Sequence, residues 1–315
     1  MANSSTKKIK AIIKVTRPVH WIKNFSVFAA LVFSGSLLDK ALFLRVFMAF
    51  MTFNLAASAT YVFNDLRDSA QDRLHPIKKD RPLARGDLSG SAGLLLAVSL
   101  AFVSLISAYM LSYLFFLLIL SYILLQLAYS LALKNLHIID ILVIAAGFIL
   151  RIYSGAFVID AHLSVWFLLC VISTALFLAA GKRRAELGVV GASRGTRKTL
   201  RMYSIELLNS YVTMFGNAAW MSWALFTFFE SPRVSVPLWL FLAELSRTTT
   251  VNKLLMITIP VSIFGIMRYQ SLIFEGRSEA PEKLLLTDIS LVTSVGLWIA
   301  LVVWILYSGV ASIPL

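Results

Sequence analysis

One stretch of this chain concentrates oxygen ligands: Asn64-Asp65-Leu66-Arg67-Asp68-Ser69-Ala70-Gln71-Asp72. The carboxylates at 65, 68 and 72 are three and four residues apart. On a helix that spacing stacks them on one face. Tyr61 and Asn64 fall in the same arc of roughly 100°. Hard cations such as Mg2+ take oxygen ligands, commonly one or two carboxylates plus substrate phosphates. A plain solvated helix end is the competing explanation, and two effects weigh against it. Carboxylates are unfavourable near the negative end of a helix dipole. Three on one face also repel one another unless a cation lies among them. The chain continues Arg73-Leu74-His75-Pro76-Ile77-Lys78-Lys79-Asp80-Arg81-Pro82-Leu83-Ala84-Arg85-Gly86. Its two prolines stop the helix and fold the loop, which keeps Lys78, Lys79 and Arg81 close in sequence to the acidic strip. Acids for a metal beside cations for phosphate oxygens describe a diphosphate site. The excess of basic residues in cytoplasmic membrane loops accounts for part of the same cations.

The elements that must carry this strip are membrane helices. Of 315 residues, 59% are hydrophobic and 14% charged, against about 45–50% apolar and 25% charged in soluble domains. The fold class expected is all-α: a polytopic membrane protein in one domain. Spans need about 20 apolar residues, and nine are read at roughly 20–38, 42–64, 91–111, 113–133, 138–159, 163–182, 209–229, 251–271 and 289–309. With a cytoplasmic N-terminus, 23 Lys and Arg fall on one side and five on the other, which places the acidic strip in the cytoplasm. The net charge of +13 is explained by these loops, so nucleic acid is not an expected partner; the partners are the lipid bilayer and a polyanionic substrate. The single cysteine, Cys170, excludes a cysteine-rich metal site. No apolar segment with a small-residue cleavage site marks a secretory signal. A homo-oligomer is compatible with all of this.

Taken together, the helices and the Asn64, Asp65, Asp68, Asp72 pattern resemble the UbiA superfamily of intramembrane transferases, which has nine helices and an NDxxDxxxD motif after the second. The resemblance implies nine transmembrane helices around a cytoplasm-facing central cavity. Prenyltransferases of the superfamily carry a second aspartate-rich motif after helix six. Here that place reads Ala180-Gly181-Lys182-Arg183-Arg184-Ala185-Glu186-Leu187, three cations and one acid. It resembles the decaprenyl-phosphate phosphoribosyltransferase branch. So do Arg17-Pro18 with Trp21-Ile22-Lys23-Asn24, Phe148-Ile149-Leu150-Arg151, Arg197-Lys198 with Tyr203, and Arg268-Tyr269 followed by Glu279-Ala280-Pro281-Glu282.

That branch moves phosphoribose from 5-phosphoribosyl 1-diphosphate (PRPP) to a polyprenyl phosphate, for cell-wall arabinan precursors. The resemblance implies Mg2+ held by Asn64 and Asp68, with Asp65 and Asp72 as further ligands or supports. It implies Lys182 and Arg183 for the 5-phosphate, with Glu186 one turn on to orient a lysine or a ribose hydroxyl, and Tyr203 against the ribose. Lys23, Lys134 or Arg85 would meet the acceptor phosphate. Against these stand plainer roles: interfacial anchoring for Lys23 and snorkelling for Lys134. Arg151, inside a span, is expected to line a cavity, because an intramembrane arginine is costly otherwise. Two other functions remain open at this point: transfer of a prenyl group from prenyl diphosphate to an aromatic or other acceptor, and non-enzymatic transport of a lipid phosphate.

Overall fold

The structure, a computed structural model, describes residues 2–74, 78–190, 200, 202–230, 249–276, 284 and 286–307. Among the sequence motifs, His75 to Ile77, Arg197, Lys198, Arg201 and 279–282 lie outside the described residues. All described regular elements are helical. The long α-helices are α1 (Ala2–Thr16), α2 (Lys40–Asp72), α3 (Gly90–Leu111), α4 (Tyr113–Leu131), α5 (Ile139–Val158), α6 (Val165–Val190), α7 (Ile205–Phe229), α8 (Ile259–Phe274) and α9 (Ile289–Tyr307). Seven helices among the described residues are long and apolar enough to cross a membrane. α7 also runs 25 residues but carries Asn209, Ser210, Thr213 and Asn217 in its first half. The span expected at 20–38 is not one α-helix. It is a 3-10 stretch, Pro18–Phe28, followed by the short helix Ala29–Phe33. The structure also extends α2 and α6 well past the expected ends at 64 and 182.

The chain packs as two compact units, the first holding α1 to α5 with the 3-10 stretch, the second holding Leu31–Asp39 and α6 to α9. In the first, α2 offers small buried residues, Ala49, Ala56, Ala57, Ser58 and Ala59, which let neighbouring helices approach closely where lipid supplies no hydrophobic drive. α2 is 33 residues long, roughly 50 Å, against a hydrocarbon layer of about 30 Å. Its last turns therefore project out of the membrane and carry the acidic strip. The loop behind it is fixed by Gly86, whose φ of 84° suits glycine alone at low cost. Ser89 then caps α3, accepting from the Ala92 N–H at 3.3 Å.

The 3-10 stretch is held by polar bonds inside this unit. At Gly155 of α5 any Cβ would overlap the Val27 carbonyl oxygen, so the backbone of the stretch lies directly on α5. Beside this contact sits Arg151, 5% exposed. Its Nε donates to Asn24 Oδ1 at 2.6 Å, one terminal nitrogen to the Gly147 carbonyl at 2.5 Å and the other to the Tyr122 hydroxyl at 3.0 Å. Phe53, Tyr122 and Phe148 surround the guanidinium with ring centres 5.1–5.4 Å away. Asn24 in turn donates to Asn54 of α2 at 2.6 Å. Arg151 thus binds the 3-10 stretch to α4 and α5 through a buried polar network.

In the second unit Phe177, Ala180, Val212, Tyr269, Leu272 and Ile273 form the core between α6, α7 and α8. Phe33 joins Phe167, Trp223 and Phe226 in an aromatic cluster with centroids 4.8–5.8 Å apart. The Tyr307 hydroxyl of α9 donates to the Val32 carbonyl at 2.6 Å.

Arg151→Met strands the buried acceptors of Asn24 and Tyr122. The expected cost is about 3 kcal/mol, read as a drop of several degrees in the thermal midpoint of the detergent-solubilised protein. An unchanged midpoint would remove the clamp role.

Candidate functional site

The acidic strip divides into two edges on α2. On the helical wheel Asn64 and Asp68 lie to one side of Tyr61, and Asp65 and Asp72 to the other, about 40° apart within each pair at most. The structure treats the edges differently. On the first, Asn64 Nδ2 donates to Asp68 Oδ2 at 3.2 Å. Ser130 of α4 donates to Asn64 Oδ1 at 3.1 Å. Lys134, on the 3-10 turn after α4, reaches Asp68 Oδ1 at 2.5 Å. The Asp68 side chain keeps 16% of its surface exposed.

On the second edge Asp65 and Asp72 are 2% and 5% exposed. Arg81 bridges them, 3.0 Å from Asp65 Oδ1 and 2.6 Å from Asp72 Oδ2. Arg17 also donates to Asp65 Oδ1 at 2.5 Å and lies over the Tyr61 ring, 5.5 Å from its centre. Arg17 has a φ of 53°, a left-handed conformation unfavourable for a non-glycine residue. The two carboxylate and aromatic contacts hold it there. Each of the three acids is thus contacted by a base, Asp65 and Asp72 by arginine and Asp68 by Lys134.

Local folding explains the cations. Pro82 starts the short helix Pro82–Arg85 with Arg81 as the extended residue before it, which aims Arg81 back at α2. Arg73 donates to the Ala84 carbonyl at 3.1 Å and Lys14 to the Asp80 carbonyl at 3.0 Å, closing the loop over the strip. Lys78 is half-buried and Lys79 exposed on the 3-10 turn Lys78–Asp80. Lys23 is half-buried on the 3-10 stretch. Arg85 is exposed and pairs with Asp87 at 3.4 Å. In the sequence Arg17 stands out only through the Arg17-Pro18 pair that resembles the branch, and Ser130 carries no signal.

In the second unit the basic motif is helical, not a loop, since α6 runs through it. Arg183 is fully buried and donates to Glu186 at 2.6 Å. Arg184 donates to Asn209 at 2.6 Å and lies 5.4 Å from the Phe274 ring centre. Lys182 is half-buried and Tyr203 only 5% exposed. A Cβ at Gly181 would meet Ile273 at 2.8 Å and Tyr269 at 3.0 Å, so close packing of α6 on α8 sets where Lys182 and Arg183 start. Glu206, in the first turn of α7, is held below the usual carboxylate range by its own backbone N–H and the Ser204 hydroxyl. Arg268 is engaged by Asp288 through two bonds, 3.1 and 2.6 Å.

Of the motif's four oxygen-bearing residues, Asn64 and Asp68 are the partly exposed pair. Among the described residues no three acidic, histidine or cysteine side chains converge as a self-contained metal site. The donor set fits Mg2+ held by an amide oxygen and one carboxylate, with the remaining positions filled by phosphate oxygens.

Comparison with known proteins bears on this arrangement. The UbiA prenyltransferase family model matches residues 24–251. A protein of Mycolicibacterium smegmatis named decaprenyl-phosphate phosphoribosyltransferase is 38% identical over 70% of this chain and 71% of its own. Its namesake from Corynebacterium glutamicum is 32% identical over 94% of this chain and 86% of its own. Among solved structures, a UbiA homolog from Archaeoglobus fulgidus bound to GPP and Mg2+ shares the fold with a TM-score of 0.66 at 16% identity, over 96% of this chain and 99% of its own.

Arg81→Ala leaves Asp72 buried without its cation, at an expected cost of about 3 kcal/mol. Arg81→Lys should recover only part, because one ammonium replaces a fork that spans two carboxylates. Thermal unfolding of both variants checks this; equal midpoints for wild type and Arg81→Ala would contradict the bridge.

Proposed function

We propose, because the chain belongs to the UbiA prenyltransferase family, that it is a multi-pass membrane transferase moving 5-phosphoribose from PRPP to a polyprenyl phosphate, with release of diphosphate. The observation that carries the site assignment is the unequal burial of the acidic strip: Asp65 and Asp72 are buried on arginines, while Asn64 and Asp68, held by Ser130 and Lys134, stay partly exposed. The relatives named decaprenyl-phosphate phosphoribosyltransferase support the donor and acceptor.

In this reading Asn64 and Asp68 receive the diphosphate end of the donor, and Lys78 and Lys79 supply positive charge to its oxygens. Mg2+ bound there would neutralise the diphosphate and improve it as a leaving group. Lys182 serves the 5-phosphate; Arg183, fully buried against Glu186, supports α6 beneath it. Tyr203 and Lys23 are assigned to the ribose and the acceptor in the same way. The acceptor phosphate is already ionised near neutral pH, so no side chain has to remove a proton. An acceptor oxygen forms the new bond to the anomeric carbon, and the old carbon–oxygen bond breaks with its electron pair leaving on the diphosphate. Lys134, which donates to Asp68, would also donate to an incoming phosphate oxygen. The protein's share is positioning and charge stabilisation.

The same reading keeps nine crossings, with the acidic end of α2 and the N-terminus in the cytoplasm. The 3-10 stretch and Ala29–Phe33 together reach roughly 30 Å, enough to cross without being one α-helix.

Purified protein incubated with PRPP, Mg2+ and decaprenyl phosphate should release diphosphate and form a phosphoribosylated lipid. Consumption of a prenyl diphosphate without PRPP turnover would instead support the prenyltransferase reading. Asp68→Ala should lower turnover by roughly a hundredfold or more while the protein still inserts and folds. Lys182→Ala should weaken PRPP binding more than lipid binding; an equal loss for both would remove its 5-phosphate role.

A further inference from the structure

The described part of α1 has three faces. Ala11 and Val15, 6% and 0% exposed, pack inward; Val15 joins Val62, Leu83, Leu88 and Ala97 in one cluster. Ile9, Ile12 and Ile13 are 57%, 39% and 56% exposed and span an arc of roughly 100° on the far side. Lys10 and Lys14 lie between the two, both exposed. The sequence of α1 holds four lysines, Lys7, Lys8, Lys10 and Lys14, and no acid. Three exposed isoleucines beside lysines suit neither water nor the protein core.

The height of this helix is fixed by its neighbours. Val62 lies two residues before Asn64, where the apolar run of α2 gives way to the acidic strip. Ala97 belongs to the first two turns of α3, where Leu94, Leu95 and Val98 are 47%, 69% and 58% exposed and face lipid. Val15 therefore sits at the level where hydrocarbon meets headgroups. The left-handed Arg17, pinned to Asp65, turns the chain sharply after α1, so the helix does not continue into the span that follows.

We propose that α1 lies in the membrane interface, its Ile9–Ile12–Ile13 face inserted among acyl chains and its lysines on anionic phospholipid headgroups. The occupant is the bilayer in which the spans already stand, and the all-lysine charge of α1 selects its anionic lipids. No part of this rests on the transferase reading.

The test uses full-length protein in nanodiscs of phosphatidylglycerol or phosphatidylcholine. An environment-sensitive fluorophore is placed at Ile13→Cys in a Cys170→Ser background, with Asp87→Cys as the exposed control. Blue-shifted emission at position 13, quenched by nitroxide-labelled lipids, is expected, with water-like emission at position 87. Trypsin cleavage after Lys10 in the unsubstituted protein, read by mass spectrometry, should be about fivefold or more slower in the phosphatidylglycerol discs. Water-like emission at position 13 overturns the seat. Shielding from water without lipid quenching, together with crosslinking between chains through position 13, would assign the face to a second copy and also overturns it. Equal cleavage in both lipids removes the anionic headgroup contact.

Discussion

At the end of α2 three carboxylates stand on one helix face, at the dipole end that disfavours negative charge. Two of them are almost wholly buried. Such groups stay ionised only if cations are brought to them, and breaking such a pair costs about 3–5 kcal/mol. Much of the first unit can be understood as the means of bringing those cations. The turn at Arg17, the loop returning through Arg81 and the 3-10 turn at Lys134 each deliver one. α2 overshoots the hydrocarbon layer so that this exchange takes place outside it. The two edges of the strip differ: Asp65 and Asp72 hold the protein's own arginines in place and are buried, and Asn64 and Asp68, contacted by Ser130 and Lys134, remain partly exposed.

A second buried charge lies deeper, and its environment is different in kind. Arg151 has no carboxylate beside it among its bonded partners. It is satisfied by an asparagine, a tyrosine hydroxyl and a backbone carbonyl, with three aromatic rings around it. Neutral acceptors and π-faces let an arginine stay charged in apolar surroundings. The cost is accepted where the chain leaves α-helical geometry, because the 3-10 stretch has fewer regular backbone contacts and needs side chains such as Asn24 and Trp21 to fix it against α2, α4 and α5. Trp21 contributes by donating to Ser58 at 3.1 Å.

Much of this was legible in the sequence because membranes impose simple rules. Runs of about 20 apolar residues mark spans, and the helices α3, α4, α5 and α9 begin and end within two residues of the expected limits. The NDxxDxxxD spacing placed all its members on one face, as found. Three things were not legible. The 3-10 geometry of Pro18–Phe28 depends on tertiary contacts such as Gly155 against Val27, which no local pattern encodes. The extension of α6 through Lys182 and Arg183 was hidden because those charges look like a loop, whereas Arg183 is buried by pairing with Glu186 one turn away. The split of the strip depends on partners 9 to 66 residues distant, Arg81, Arg17 and Lys134. Spacing gives a face; only the fold shows which members of that face are already engaged.

The central claim is that Asn64 and Asp68 hold a divalent cation only together with the donor's phosphates, since the other two carboxylates are bound to arginine. Electron paramagnetic resonance of Mn2+, titrated into the purified protein with and without PRPP, tests this most directly. The account predicts weak Mn2+ binding by the protein alone, about tenfold or more tighter once PRPP is present, with the gain lost in Asp68→Asn. Tight Mn2+ binding by the protein alone, unchanged by PRPP or by Asp68→Asn, would contradict it.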